Sequence, residues 1–380
     1  MQRKQKQTTR LIVASSERDA NMLYATGFFA PDSFVYLNAG GRSYMLIGDL
    51  EIDRARRQAT VHRCLSLSQI ERQLSRHKDA DTSLVAVLQR VFDKLRISSV
   101  EVPSDFPLEI ADLLRRKRIT VTPKAGTFFP ERATKTEHEL REITRAQRAA
   151  EAGMDAAIAL IREARISRTG FVKHGQTKLT AEMVKERIAT VALRQGCIAA
   201  HTIVACGTQT CEPHNEGSGP LRPHQPIILD IFPRSQASGY WGDITRTIVR
   251  GQADASVKNL FAAVLKAQST AIGCVKAGVT GAEIHQAVLD SFLLDGFRTG
   301  IRKGKMEGMF HGTGHGVGLE IHESPRLSPR GNEPLKERQV VTVEPGLYYW
   351  GVGGVRIEDL LVVKSHGYRN LTRYPKFLEI

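Results

Sequence analysis

The sequence predicts a two-domain α/β chain, with a small α/β domain over residues 9–125 and an α+β domain over residues 134–380. Three observations predict it. The 380 residues exceed what one core of about 150 residues requires. Residues 9–125 alternate short apolar or β-branched runs with helical patterns, the signature of an α/β layer. After Pro123 to Pro130 the texture changes to long amphipathic helices separated by β-rich blocks.

In chain order, Leu11–Ala14, Phe34–Leu37 and Tyr44–Ile47 read as strands, and Glu17–Tyr24 and Leu50–Gln58 as helices. Leu84–Leu95 has helical periodicity, Ser98–Val102 is a strand, a helix opens near Pro107, and Ile119–Thr122 is β-branched. No glycine-rich phosphate loop accompanies these strands, so a nucleotide function for this half has no basis. From Lys135 to Arg165, Leu140, Ile143, Ala150, Met154, Ile158 and Ile161 share one stripe of a long helix. Thr180 caps a helix to about Gln195, another helix runs from about Ser256 to Val275, and Thr280-Gly281-Ala282-Glu283 is a capping box opening a helix to about Leu294. Thr202–Val249 and Val340–Val363 are β-rich, so the second domain reads as two halves of similar plan.

The net charge is +14. The excess is spread over both regions, densest at Arg3-Lys4-Gln5-Lys6 and at Arg115-Arg116-Lys117-Arg118, where cations complement a helix end. With aromatics at 6% and no evident basic face, the composition argues against nucleic acid. Five cysteines, Cys64, Cys197, Cys206, Cys211 and Cys274, are odd in number and form no C-x-x-C pair, which points to free thiols in a reducing compartment. No apolar run reaches the roughly 18 residues of a membrane span, and the basic N-terminus has no signal-peptide core. A cytoplasmic protein without a membrane partner is expected.

The densest chemistry lies in His311-Gly312-Thr313-Gly314-His315-Gly316-Val317-Gly318-Leu319-Glu320-Ile321-His322-Glu323. Four glycines, each costing about 1 kcal/mol in a helix interior, exclude a helix. The expectation is a glycine-permitted turn from His311 to Gly316 followed by an extended segment from Val317 to Glu323. Acids interrupt apolar strands elsewhere: Asp230 in Ile227–Ile231, Asp243 before Ile244, Glu344 after Val343, and Glu358 before Leu360. A buried carboxylate must be paired, hydrogen-bonded or bound to a cation. An ion pair with Arg246 is the bland alternative for Asp243, and Asp359 reads as a solvated or capping neighbour. Four carboxylates with a glycine-flanked imidazole make an oxygen-rich set suited to two divalent ions, manganese first, with cobalt or zinc as alternatives. Two such ions can lower the pKa of a shared water and supply a hydroxide nucleophile for a carbonyl.

Taken together, Asp230, Gly242-Asp243-Ile244-Thr245-Arg246-Thr247, the histidine-rich stretch, Val343-Glu344-Pro345-Gly346 and Arg356-Ile357-Glu358-Asp359 resemble the prolidase and aminopeptidase P family, relatives of methionine aminopeptidase with the pita-bread fold. Tyr24–Phe28 and Pro31–Phe34 are similar to the creatinase-type N-terminal domain, so the resemblance covers nearly the whole chain. It implies that 9–125 is a creatinase-like domain and 134–380 a pita-bread metallopeptidase domain. It implies Asp230, Asp243, His315, Glu344 and Glu358 as metal ligands, with Asp243 and Glu358 bridging and Glu344 taking the proton of the bridging water. It implies that His322 stabilises the tetrahedral intermediate, that His311 and Arg356 belong to the substrate pocket, and that His214 lies near the scissile nitrogen. That nitrogen carries no hydrogen in a bond to proline and must be protonated to leave.

Two departures stand out. Phe232 occupies a position that is commonly glycine, and Asp230 and Asp243 lie two positions further apart than is common in the family. A hairpin lengthened by two residues keeps the same side chains on the same face, and Pro233 and Ser238-Gly239 supply turn chemistry. Creatinase lacks the ligands, and methionine aminopeptidases usually lack the N-terminal domain. Arg326, four residues after His322, resembles a prolidase arginine that binds a dipeptide's C-terminal carboxylate, with a solvated loop arginine or Arg330 as rival readings. An Xaa-Pro dipeptidase acting on proline-containing dipeptides or short peptides is therefore preferred. Aminopeptidase P activity on longer peptides is the alternative, and a non-catalytic basic binding protein on the same fold is a third reading. Family resemblance also implies a homodimer through the N-terminal domain.

Overall fold

Strand β1 (Arg10–Ala14) sends Leu11 and Val13 into one core and Ile12 and Ala14 into another, so its sheet is apolar on both faces and needs cover on both. The structure, a computed structural model, describes residues 8–76 and 81–380, and the basic run Arg3-Lys4-Gln5-Lys6 lies outside them. The chain divides into two units, Met1–Pro130 and Glu131–Ile380. In the first, β1 joins β2 (Phe34–Ala39), β3 (Arg42–Ile47), β4 (Arg63–Ser66), β5 (Ser99–Val102) and β6 (Thr120–Pro123) in the order β4-β3-β2-β1-β5-β6. Helices α1 (Ala20–Thr26) and α2 (Ile52–Gln58) cover one face; α3 (Leu67–Leu74), α4 (Leu84–Leu95) and α5 (Leu108–Arg116) cover the other. The pairs β3–β4, β1–β5 and β5–β6 are parallel and the rest antiparallel. Helix α1 starts later than its apolar pattern because the Asp19 carboxylate accepts from Met22 N and caps it there. β4 and α3 lie outside the expected elements, although Leu67, Ile70 and Leu74 recur at helical spacing and pack on one core; Ser66 ends the strand and caps the helix by accepting from Gln69 N.

The second unit has two helix pairs, each laid on a sheet. Helix α6 (Glu137–Glu163) opens with a capping box between Thr136 and Glu139 and, with α7 (Ala181–Arg194), covers an antiparallel sheet of Ile203–Cys206, Pro226–Ile231 and Ile244–Val249. Helices α8 (Ala255–Cys274) and α9 (Gly281–Leu294) cover a five-stranded sheet in the order Glu323–Leu327, Gly314–Gly316, Val340–Val343, Asp359–Lys364 and Gly367–Asn370. The halves are tied where Thr247 Oγ1 donates to Arg356 O and accepts from Arg356 N, and where Glu358 N donates to Thr245 O at 3.1 Å. Both threonines are fully buried, so these bonds form without competition from water.

Three expectations are corrected here. Gly314–Gly316 is a strand and Gly318 to His322 is the bend, the reverse of the expected turn followed by an extended segment. The glycines serve close approach: a Cβ at Gly314 would strike Thr342 O and one at Gly316 would strike Ser324 O, both on neighbouring strands. Arg246 pairs with Asp359 (2.9 Å), which leaves Asp243 free of that partner. Asp359, read as solvated or capping, is buried and also holds Lys376 at 2.7 Å. All five cysteines are free, and no described helix is long and apolar enough to cross a membrane.

Candidate metal centre

Each acid reaches the junction of the halves for a local reason. Asp230 is the fifth residue of the strand Pro226–Ile231 and lies opposite Thr245. Asp243 precedes the strand Ile244–Val249, where its N–H donates to Gln147 Oε1 of α6 at 2.8 Å. Gly242 permits that approach, since a Cβ there would stand 2.5 Å from the helix backbone at Ala146 and Gln147. Glu358 sits between Gly353–Arg356 and Asp359–Lys364 and accepts from Thr245 Oγ1 at 2.9 Å. Glu344 follows the strand Val340–Val343; its N–H donates to Thr313 O at 2.8 Å and its Oε1 accepts from Thr342 Oγ1 at 3.3 Å. His315 is the centre of Gly314–Gly316 and its N–H donates to Thr342 Oγ1 at 3.1 Å.

Asp243, His315 and Glu358 bring ligand atoms within 4.8 Å of one another. His315 Nε2 lies 3.1 Å from Glu344 Oε1 and 3.8 Å from Asp243 Oδ2. Asp230 lines the same cavity and accepts from Arg356 Nη2 at 2.7 Å. Burial, reinforced by Glu358, Asp230 and Glu344, pushes the Asp243 carboxyl well above its usual range. Burial, then Glu344 and Asp230, does the same to Glu358. Burial acts to raise Glu344 too, but the His315 hydrogen bond and charge pull it down to about 2. Two buried carboxyls forced upward by neighbouring carboxylates make a site short of positive charge. Hard oxygen donors with one imidazole fit divalent cations.

The remaining sequence candidates, His214, His311, His322, Arg326 and Arg356, line this same cavity of about 510 Å³, and Arg330 does not. Arg356 Nη1 donates to Tyr348 OH at 2.9 Å, and Tyr348 OH lies 2.8 Å from His311 Nε2. His311 Nδ1 meets Gly312 O at 2.7 Å, so its proton belongs on Nδ1 and Nε2 accepts from the tyrosine. Burial lowers His311 to about 4. The His322 ring packs edge-on to His315, with centroids 4.3 Å apart. Partial burial, then the nearby His315 and Arg326, lowers His322 to about 4, so it is a neutral N–H donor at pH 7. Sequence reasoning missed His201, Glu216 and Ile321 in the lining and the supports Tyr348, Gln147, Thr245 and His285; Phe232, singled out as a departure on the hairpin, lines the cavity. His285 meets Thr313 Oγ1 at 2.9 Å from α9, and nothing local in the sequence marks that contact.

The profile of metallopeptidase family M24 matches residues 141–365. The chain belongs to this family. The match spans every strand that carries a cavity acid and leaves out the first unit, so the membership rests on the unit that holds the site. An uncharacterized peptidase of Bacillus subtilis, YqhT, is 39% identical over 178 residues, 47% of this chain and 48% of that one; the matched stretch is about half of that relative's length. The Xaa-Pro dipeptidase of Pyrococcus horikoshii is 30% identical over 285 residues, 74% of this chain and 75% of that one. Among solved structures, the Xaa-Pro dipeptidase from Bacillus anthracis is 25% identical with a TM-score of 0.81, covering 98% of this chain and 95% of that one. The family read from the motifs and the pita-bread class of the second unit are borne out.

Proposed function

We propose that this M24 member is an Xaa-Pro dipeptidase using two divalent ions, manganese first, held by Asp230, Asp243, His315, Glu344 and Glu358. The observation that supports the reading best is the buried cluster of Asp243, His315 and Glu358 sharing one cavity with His322 and Arg326. When bound, the ions would polarise the peptide carbonyl and lower the pKa of a nucleophilic water. Glu344 takes up that proton, His322 donates its N–H to the oxygen that becomes negative, and His214 protonates the prolyl nitrogen as it leaves. Arg356 holds Asp230 and, through Tyr348, fixes the His311 wall. Arg326 offers its guanidinium to the dipeptide's terminal carboxylate. The proposal places the protein in the cytoplasm, in keeping with its free cysteines, as a homodimer.

One observation favours aminopeptidase P activity as a second reading. A groove lined by Phe310, Trp350 and Met306 shares Pro213 and His214 with the cavity and offers room beyond a dipeptide. Hydrolysis of Ala-Pro and Ala-Pro-Ala by wild type and Arg326→Ala separates the two. A dipeptidase prefers Ala-Pro, and losing a charge-assisted bond raises its KM by about 10- to 100-fold. Preference for Ala-Pro-Ala with Ala-Pro turnover unaffected by Arg326→Ala would overturn the dipeptidase reading.

A further inference from the structure

Three buried charges that the mechanism leaves unused converge behind His322. Lys135, 1% exposed, reaches Glu323 Oε1 at 2.5 Å, and Arg132, 6% exposed, reaches Glu323 Oε2 at 2.9 Å. Arg132 Nη2 also contacts Glu320 Oε2 at 2.7 Å. Exposed ion pairs contribute little. Here both cations and the carboxylate, its side chain 8% exposed, are withdrawn from water, so Lys135 cannot release Glu323 without becoming an uncompensated buried charge, while Arg132 bridges Glu323 to Glu320. Glu323 directly follows His322 and opens the strand Glu323–Leu327, so the backbone carrying the imidazole is fastened on its C-terminal side.

The N-terminal side is fastened from another element. Trp241 N donates to Gly318 O at 3.0 Å and Trp241 Nε1 donates to Leu319 O at 3.2 Å. A Cβ at Gly318 would meet the Glu323 carboxylate and displace it from its two cations. Trp241 belongs to the lengthened hairpin between Asp230 and Asp243, whose turn is closed by Gly239 at φ 77° and whose Arg234–Ser235 pairs with Cys197–Ile198. Its neighbour Tyr240 donates to Glu139 Oε1 at 2.6 Å in the first turn of α6, and Thr136, the cap of that helix, follows Lys135. The contacts thus form a closed ring from Lys135 through α6, the hairpin and the bend back to Glu323.

We propose that Glu323 is a positioning residue for His322: Lys135 and Arg132 hold it, Trp241 braces the far side of the bend, and the imidazole is thereby set against His315. This rests on the role given to His322 under the proposed function. Glu323 faces its two cations and is not part of the cavity lining, so its contribution is geometric. A bend of this kind, with His322 open to the cavity, would otherwise sample several conformers, and a displacement of about 1 Å can cost about 100-fold in rate.

The test is a set of double-mutant cycles on the manganese-supplied full chain with Ala-Pro as substrate. Glu323→Gln, Lys135→Met and Lys135→Arg are each made in wild type and in His322→Ala, and kcat, KM and bound metal are measured. Glu323→Gln and Lys135→Met should lower kcat by about 10- to 100-fold with KM within about twofold and metal content unchanged. In His322→Ala they should cost less than about threefold more, and Lys135→Arg should recover most of the loss. Equal losses in both backgrounds, loss of metal, or no loss in wild type would overturn the positioning role. If Glu323→Gln fails to fold, Trp241→Phe, which removes the Nε1 donor and part of the ring but keeps an aromatic side chain, carries the same cycle with the same criteria. If His322→Ala alone leaves kcat unchanged, the role of His322 falls, and the positioning role with it. If His322→Ala lowers kcat but no coupling is found, the positioning role alone falls.

Discussion

Replacing Arg246 by methionine tests how the two halves of the second unit are joined beneath the cavity. Arg246 and Asp359 are each 2% exposed and form an ion pair at 2.9 Å. The guanidinium also donates to Thr245 O, Glu358 O, Tyr374 O and Pro375 O, at 2.9, 2.5, 2.7 and 3.0 Å. Removing one partner of a buried pair costs about 3–5 kcal/mol. Asp359 would keep Lys376 at 2.7 Å and Asn370 at 2.9 Å, so its charge is not stranded. The orphaned carbonyls then dominate, and we expect a loss near the lower end, about 3 kcal/mol. In a unit of this size each kcal/mol moves the melting midpoint by about 2–4 °C, giving a drop of about 6–12 °C in the second unit's transition. Arg246→Lys should recover less than half, because one ammonium cannot reach acceptors spread around a planar fork. Calorimetry on metal-supplied protein measures this. A drop below about 3 °C for Arg246→Met would show that the halves are held by packing and backbone bonds instead.

Three further outcomes are expected. Gly314→Ala would press a methyl onto Thr342 O and should cost about 1–3 kcal/mol or more, with loss of bound metal; urea midpoints and elemental analysis check it, and an unchanged midpoint would deny the close approach. Glu344→Gln should lower kcat by about 100-fold or more while KM for Ala-Pro stays within a few-fold, and steady-state kinetics that move only KM would remove Glu344 as the base. His311, lowered by burial from 6.5 to about 4, makes metal-free stability fall as pH drops through that window. The unfolded chain protonates first, so the contribution is full above 6.5 and gone below about 4, amounting to at most about 3 kcal/mol. Urea midpoints at pH 5 and 7 should separate wild type from His311→Gln, and identical pH dependence would refute the assignment.

The helical framework was legible because its signals are local. Thr280 with Glu283 three residues on marks α9, and the stripe from Leu140 to Ile161 marks α6, without knowledge of anything else; the box of Thr136 and Glu139 is an equally local signal that sequence reasoning missed. The histidine-rich stretch was misread in shape for a physical reason. Glycine is tolerated both in a turn and where two backbones touch, and only the neighbouring strands, through Thr342 and Ser324, decide between them. Asp359 was misread because its partners Arg246 and Lys376 lie far away or beyond an intervening strand. The candidate ligands could be named one by one from their apolar contexts, but not their supports. Gln147, Thr245, Tyr348 and Lys135 look like ordinary helix, strand and linker residues until the fold brings them behind the cavity, against Asp243, Glu358, Arg356 and Glu323.

The most direct measurement is Ala-Pro hydrolysis by protein stripped with a chelator and then resupplied with manganese, with bound metal counted at each stage. The account predicts no turnover and a lowered melting midpoint after stripping, since ions bound only by the folded state stabilise it, and recovery of both as metal approaches two ions per chain. Full turnover by the stripped protein, or no metal uptake and no hydrolysis after manganese addition, would contradict it.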